Sequence, residues 1–342
     1  MKLEKAKFVY IEWQADYEKY VLSKCEERCC NVFANTPPEH RKRGLLWLLY
    51  KLHQSPKINK KIPLPFRSVW NGCFLEKRIR RSLCKQDNIV FIFSGRSYKY
   101  AKCRLLKYLR RKFPNSCFLY VFSDKVELYY REDPLFSLEK LHSYFDFVLS
   151  YNDEDVEKYS LIKEPLKPYD FSDVENDEAI PQTDMFFVGK EKGRYADIIS
   201  IFEKAKSRGL KCDFTILEVP LDQRLYKGEI EYEKRIPYVE MLKRERRAKS
   251  ILNIMQSGTS GITLRDYEAF GMNKILITNS NAINMLPNYS ENMVIQLENF
   301  DNEIFKLLDC DAYSSWKQPF AISYEEYYNR LEEIVYQSGE GR

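Results

Sequence analysis

The sequence predicts an α/β protein made of two parallel-sheet units, and three observations predict it. Continuous apolar runs, such as Asn88–Ser94 (NIVFIFS) and Cys117–Ser123 (CFLYVFS), fit strands buried on both faces of a parallel sheet. These runs alternate with helical patterns, as parallel β-α-β units require. A chain of 342 residues is the length of two domains at roughly 100–200 residues each.

In the first half, Lys7–Trp13 reads as an opening strand and Arg43–His53 (RGLLWLLYKLH) as a helix with a broad apolar face. The strand Asn88–Ser94 is followed by a basic helix over Tyr98–Phe113, then by strands at Cys117–Ser123 and Asp146–Ser150. Composition then shifts. Lys163–Asp184 has three prolines, many acids and little periodicity, which marks a linker. The second half reads as a doubly wound domain of four or five strands. Its strands are Met185–Val188, Asp213–Val219, Ile251–Met255, Lys274–Thr278 and Met293–Leu297. Its helices are Tyr195–Ser207, stopped by Gly209, then Pro237–Ala248 and Thr263–Phe270. The tail Ser323–Tyr336 opens with Ser323 and Glu326 in capping-box spacing and carries a stripe of Tyr324, Tyr327, Leu331 and Ile334.

The bulk numbers exclude some classes. With 55 basic and 50 acidic residues the net charge is +5, which does not call for nucleic acid as a partner. Nine scattered cysteines form no zinc-like spacing and suggest reduced thiols in a cytoplasmic compartment. Three histidines, His40, His53 and His142, argue against a histidine-cluster mechanism. No run of about 20 apolar residues spans a membrane, and the N-terminus lacks a signal-peptide core. The expected location is cytoplasmic, with peripheral contact at the inner face of a membrane as a second option.

Two loops carry the candidate chemistry. Gln256–Gly261 (QSGTSG) links a buried strand to the helix at Thr263. Its small residues let a backbone approach a ligand, and amides at the helix start suit a phosphate. Thr259, Ser260, Gly261, Ile262, Thr263 and Leu264 are therefore candidates for contacting a phosphate-bearing ligand. Arg265 in the first turn can add a charge-assisted bond. Glu268, one turn after Leu264, can accept from sugar or ribose hydroxyls but cannot hold phosphate. The competing reading is an ordinary turn in which Thr263 and Asp266 merely cap the helix. The second loop, Gly189–Arg194, places Lys190, Lys192 and Arg194 where a strand end feeds a ligand cleft. Its competing reading is a solvated charged turn. Strands of one parallel sheet end on one edge, so cations from one loop and amides from the other would face a shared cleft. That combination suits a nucleoside diphosphate joined to a sugar.

The segments DMFFVGKEKGRY (Asp184–Tyr195), LKCDFTIL (Leu210–Leu217) and SGTSGITLRDYEAFGMNKILITN (Ser257–Asn279) resemble the donor domain of bacterial GT-B glycosyltransferases of lipopolysaccharide and capsular polysaccharide synthesis. FDFVLSYNDEDVEKYSL (Phe145–Leu161) is similar to the strand and helix that close the first domain in such proteins. The resemblance implies two facing Rossmann-like domains. It divides the chain into an acceptor-side domain over 1–165, a linker over 166–183, a donor domain over 184–315 and a C-terminal helix over 316–342 returning to the first domain. It also implies that Lys190 and Arg194 hold a diphosphate, that Gly189 and the residues from Thr259 to Leu264 bind the donor, and that Arg194, Arg265 and Glu268 are catalytic residues. No cofactor or metal is expected, the nucleotide sugar being substrate. Many retaining members carry two glutamates separated by seven residues here. Glu268 matches the second, but Ser260 stands where the first would be.

The implied reaction moves a sugar onto a saccharide or lipid-linked acceptor. Asp124, His142 and Asp153 are candidate bases, and Ser94-Gly95-Arg96 is a candidate acceptor contact. Asp153-Glu154-Asp155 looks like a metal triplet but reads better as acids opening a helix. The basic, aromatic segments Arg41–His53 and Lys99–Lys112 read either as helices with a buried apolar face and a solvated basic one, or as a surface for an anionic bilayer. Two rivals remain: a nucleotide-sugar epimerase on the same fold, and a binding protein without turnover.

Overall fold

The computed structural model describes residues 5–11, 16–24, 29–33, 43–55, 57–58, 62, 64–66, 69–83, 88–95, 105–134, 136–232, 235–256, 259, 261–286, 289–307 and 323–337. The chain folds as two compact units. The first comprises Met1–Tyr151, Lys158–Glu164 and Tyr328–Arg342, the second Asn152–Glu157 and Pro165–Tyr327.

The first unit is built on a six-stranded parallel sheet in the order β2-β1-β3-β4-β5-β6. Its strands are β1 (Lys7–Ile11), β2 (Cys29–Phe33), β3 (Ile89–Ser94), β4 (Cys117–Val121), β5 (Phe147–Ser150) and β6 (Ile162–Lys163). All six residues of β3 are buried, as its apolar run predicts. The edge strands β2 and β6 were not anticipated. β6 is two residues long, and Asn31 interrupts the apolar pattern of β2. Helix Tyr324–Gln337 belongs to this unit from Tyr328 onward. There Tyr328 stacks on Phe8 with ring centroids 4.5 Å apart, and its hydroxyl lies 3.0 Å from that of Tyr10. At its start Ser323 Oγ accepts from the Glu326 amide.

The helix Leu45–His53 departs from the expectation of a buried apolar face, because none of its residues is buried.

The second unit holds another six-stranded parallel sheet, in the order β12-β11-β10-β7-β8-β9. Its strands are β7 (Thr183–Lys190), β8 (Cys212–Leu217), β9 (Ile230–Glu231), β10 (Ala248–Asn253), β11 (Ile275–Thr278) and β12 (Val294–Gln296). The chain winds outward from β7 to β9, returns to the other side of β7 as β10, and continues to β12. Strand order therefore reverses between β7 and β10. In doubly wound sheets ligands bind beyond the carboxyl ends of the strands at such a point.

Helix Tyr195–Ser207 packs Ile198, Ile199, Ile201, Phe202 and Ala205 onto this sheet. Phe202 lies 5.4 Å from Phe214 of β8, ring centre to ring centre. Truncating such a core phenylalanine costs about 3–5 kcal/mol. Gly209, at φ 75°, ends the helix as its position predicts. The segment 166–183 carries no helix or strand before Thr183. It packs closely on the second unit, with Tyr169 and Phe171 buried and Tyr169 4.6 Å from Tyr267.

Candidate functional site

The carboxyl ends of β7 and β10 flank the switch point, and two arginines bridge them. Arg194 follows the tight turn after β7, in which Lys192 and Gly193 adopt φ of 43° and 78°. Glu191 braces that turn by accepting from the amides of Gly193 and Arg194. The Arg194 side chain runs back across the strand ends. Nη1 donates to the carbonyl of Ile254 just beyond β10, and Nη2 donates to that of Lys190 at 3.3 Å. Its guanidinium lies over the Phe187 ring at 5.7 Å. Gly189 makes room for it, since a Cβ there would sit 3.3 Å from Arg194 Nη2 and 3.2 Å from Phe187. Burial, and then the charge of Arg265, lowers the pKa of Arg194. Its Nε is buried without a partner among the described residues.

Arg265 makes the reverse crossing. From the helix Leu264–Gly271, its Nη2 donates to the carbonyl of Val188 in β7 at 2.9 Å. Its Nη1 pairs with Glu245 Oε1 and, at 2.8 Å, with Glu268 Oε2. Both carboxylates are buried, Glu245 at 0% and Glu268 at 1% exposure. Tyr238 donates to Glu268 Oε1 at 2.7 Å. Burial pushes the Glu268 carboxyl up, against the lowering effects of Arg265 and Tyr238. Tyr238 in turn is raised well above the usual phenol range by burial and by Glu268.

This corrects two expectations. Arg265 does not project freely toward a ligand; the buried acid pair and Val188 hold it in place. Glu268 does not open onto the cleft, because both its oxygens face Arg265 and Tyr238. Neither Glu245 nor Tyr238 was singled out from sequence. Glu245 sits inside KRERR, a run that reads as solvated, and only its position on the inner side of helix Tyr238–Arg247 could have marked it.

The helix start is also more occupied than expected. Asp266 accepts from the Thr263 amide at 2.7 Å and from the Thr263 hydroxyl at 2.9 Å, within a capping box. Asn253, the last residue of β10, donates to Asp266 at 2.7 Å and to Thr263 at 3.0 Å. The Thr263 amide is therefore spent on the cap. Those of Leu264 and Arg265 have no protein acceptor among the described residues. Gly261 and Ile262 are buried beside them, and Thr259 closes a turn onto Gln256 at 3.1 Å. Asn279, just after β11, anchors the loop by accepting from the Met255 amide. Ser260 lies outside the described residues. Lys190 contributes its carbonyl to Arg194, but its ammonium pairs with Glu218 beyond β8 at 2.6 Å.

The first unit has its own strand-order reversal, between β1 and β3. Gly95 lies at the end of β3 with φ 53°, and its carbonyl accepts from the Tyr120 hydroxyl; Arg96 lies outside the described residues. Tyr17 is raised by burial and by nearby Glu18, Asp124 and Glu164. Glu18, buried at the start of the helix after β1, is an acid that sequence reading passed over. Of the other candidate bases, His142 is exposed, and Asp153 opens a helix as expected.

No family model matches the sequence, and no curated protein matches it. Solved structures do share its fold. An α-glucosyltransferase in complex with UDP and DNA aligns at a TM-score of 0.54 with 11% identity, over 98% of this chain and 94% of that one. Anabaena HepE, in complex with UDP and glucose, aligns at 0.52 with 10% identity, over 96% and 99%. A UDP-forming α,α-trehalose-phosphate synthase from Burkholderia vietnamiensis aligns at 0.50 with 11% identity, over 98% and 96%. At these identities the likeness is one of fold. The chain is an α/β protein of two Rossmann-like units, the GT-B fold.

Proposed function

We propose that this chain is a glycosyltransferase that moves a sugar from a nucleoside-diphosphate donor to an acceptor hydroxyl. The observation that carries the reading is the pair of guanidinium groups lodged across the switch point of the second unit, beside two amides without acceptors among the described residues. In that place a diphosphate would meet Arg194 and the backbone amides of Leu264 and Arg265. In the reaction, the bond from the sugar anomeric carbon to the diphosphate oxygen breaks. A bond to the acceptor oxygen forms, the acceptor proton passes to a base, and the nucleoside diphosphate leaves. Arg194 would stabilise the charge that builds on the leaving oxygen, and Arg265, paired with Glu245 and Glu268, would hold the strand ends around it. Preorganised donors of this kind carry much of catalysis, at about 3 kcal/mol each. Glu268 and Glu245 act by holding Arg265.

The acceptor class we assign is a saccharide or a lipid-linked chain of bacterial surface polysaccharide synthesis, on the resemblance of Asp184–Tyr195 and Ser257–Asn279. A second reading, donor binding without turnover, is favoured by Ser260, where the resemblance would have a glutamate.

One experiment separates these. The protein is incubated with UDP-, GDP-, CMP- and dTDP-sugars with and without saccharide and lipid-linked acceptors. Thermal stabilisation and nucleotide release are followed. Stabilisation with release supports transfer, and stabilisation with no release on any acceptor supports the binding protein. No stabilisation by any nucleotide rules out the donor site.

A further inference from the structure

The helix Leu45–His53 is apolar along its length, yet no residue of it is buried. Leu45, Leu48, Leu49 and Leu52 are spaced i, i+3, i+4, i+7 and so share one face. Their exposures are 74%, 48%, 48% and 47%. The helix is nevertheless seated, by its other side. Tyr50 meets the rings of Trp70 and Phe74 edge-on, at 5.4 and 5.6 Å. Trp70 Nε1 donates to His53 Nδ1 at 2.9 Å, leaving Nε2 to donate to the Pro65 carbonyl at 2.8 Å. Phe66, next in sequence to Pro65, is exposed at 79%. The leucine face is thus held outward by a built contact, and a contiguous apolar patch of this kind marks an interaction site.

Charge identifies the partner. Between Arg41 and Arg81 there are twelve Lys and Arg and one acid, Glu76, which is buried. The remainder of the chain has 43 basic and 49 acidic residues, so positive charge is concentrated on the segment that carries the leucines. Arg43, Lys51, Lys57, Lys77, Arg80 and Arg81 are all exposed. Lys51 rests its ammonium 4.9 Å from the Trp47 ring centre, on the flank of the helix. A second copy of the chain meeting this face through a two-fold axis would set like charges against each other. An anionic surface with an apolar interior meets both requirements. None of the described helices is long and apolar enough to cross a membrane, so the helix would lie in the interface.

We propose that the Leu45–His53 face seats this chain on an anionic lipid bilayer, with the leucines in the acyl boundary and the surrounding Lys and Arg on the headgroups. The inference rests on the first unit alone, independently of the donor site.

The test is co-sedimentation of the full chain, without nucleotide, on vesicles of pure phosphatidylcholine and of equimolar phosphatidylcholine and phosphatidylglycerol. Binding is expected to the anionic vesicles only, weakened by high salt. Leu48→Glu with Leu49→Glu should lower the partition coefficient roughly tenfold or more. Its circular dichroism and melting should stay unchanged, since both leucines are exposed. Lys51→Glu with Lys57→Glu should weaken binding to the anionic vesicles without touching the leucines. A blue shift of tryptophan emission on anionic vesicles, lost in Trp47→Phe, would support the same placement. The proposal is overturned if the wild type ignores anionic vesicles, or if the leucine variant binds as well as the wild type. It is also overturned if the leucine variant instead turns a dimer into a monomer, which would make the face a homotypic interface.

Discussion

Arg194 and Arg265 cross the switch point of the second unit in opposite directions. Arg194 starts from the β7 side and donates to Ile254 beyond β10, while Arg265 starts from the β10 side and donates to Val188 in β7. Each guanidinium thus ties together the two strand ends that flank the switch point. Their proximity is electrostatically costly, and the charge of Arg265 lowers the pKa of Arg194. A diphosphate would relieve that repulsion. Arg194→Ala should therefore abolish nucleotide binding or cut turnover by about 10²–10³-fold, with little loss of fold. Arg194→Lys should recover little, because an ammonium cannot fork to two carbonyls. Titration calorimetry with the nucleotide that stabilises the wild type checks both; unchanged affinity in Arg194→Ala would falsify the assignment.

Arg265 carries a structural load that Arg194 does not. It serves two fully buried carboxylates, and its removal leaves both without a cation. Arg265→Ala should cost about 3–5 kcal/mol of stability, the range for breaking a buried pair. Glu245→Gln should cost much less, since Glu268 still pairs with Arg265 and one buried charge is gone. The order of urea midpoints is the check: Arg265→Ala well below Glu245→Gln. An equal loss in the two would mean that the acids do not share the guanidinium.

Much of this geometry could not be read from sequence. β7 and β10 were legible because strands buried on both faces leave continuous apolar runs, and Arg194 and Arg265 were legible because they follow strand ends. The direction of their side chains was not, since it depends on Glu245 and on carbonyls from distant strands. β9 was missed because Ile230 and Glu231 are too short a run to show a period. The Leu45–His53 helix was legible as a helix, but amphipathic spacing cannot say whether an apolar face meets the core or something outside the molecule.

Glu268 sets a pH dependence whose sign can be worked out. Burial raises its folded pKa above its unfolded value, so the folded state binds the proton more tightly. The associated stability is fully present below about pH 4.5 and is lost as pH rises through the folded pKa. Glu268→Gln should remove that loss, so its stability relative to the wild type should improve as pH rises above about 4.5. Tyr238→Phe should deepen the loss, because the Tyr238 hydroxyl favours the charged carboxylate. Denaturant midpoints for the three proteins across pH 4–8 (a range chosen around the ordinary carboxylate value) are the measurement. Parallel curves for the wild type and Glu268→Gln would contradict the buried acid.

Lys274 provides a second titration with the opposite slope, on the opposite edge of the same sheet. It precedes β11, and its Nζ donates to the carbonyl of Arg246 at 2.7 Å, near the end of helix Tyr238–Arg247. Burial, then the charges of Arg246 and Arg247, lowers its pKa to about 8. The unfolded chain holds this proton up to the ordinary lysine range, so between about pH 8 and 10.5 it binds more protons than the folded one. The Lys274 contribution should therefore rise across that window, by up to about 3 kcal/mol at one pH unit per 1.36 kcal/mol. Below pH 8 the buried ammonium is a constant cost. Lys274→Met removes the titration and leaves the Arg246 carbonyl without this donor, a loss of about 1 kcal/mol. The variant should be more stable than the wild type at pH 7 and lose that advantage by pH 10.5. If the two stability profiles run parallel from pH 8 upward, Lys274 titrates as an ordinary surface lysine and its burial beside Arg246 and Arg247 is wrong.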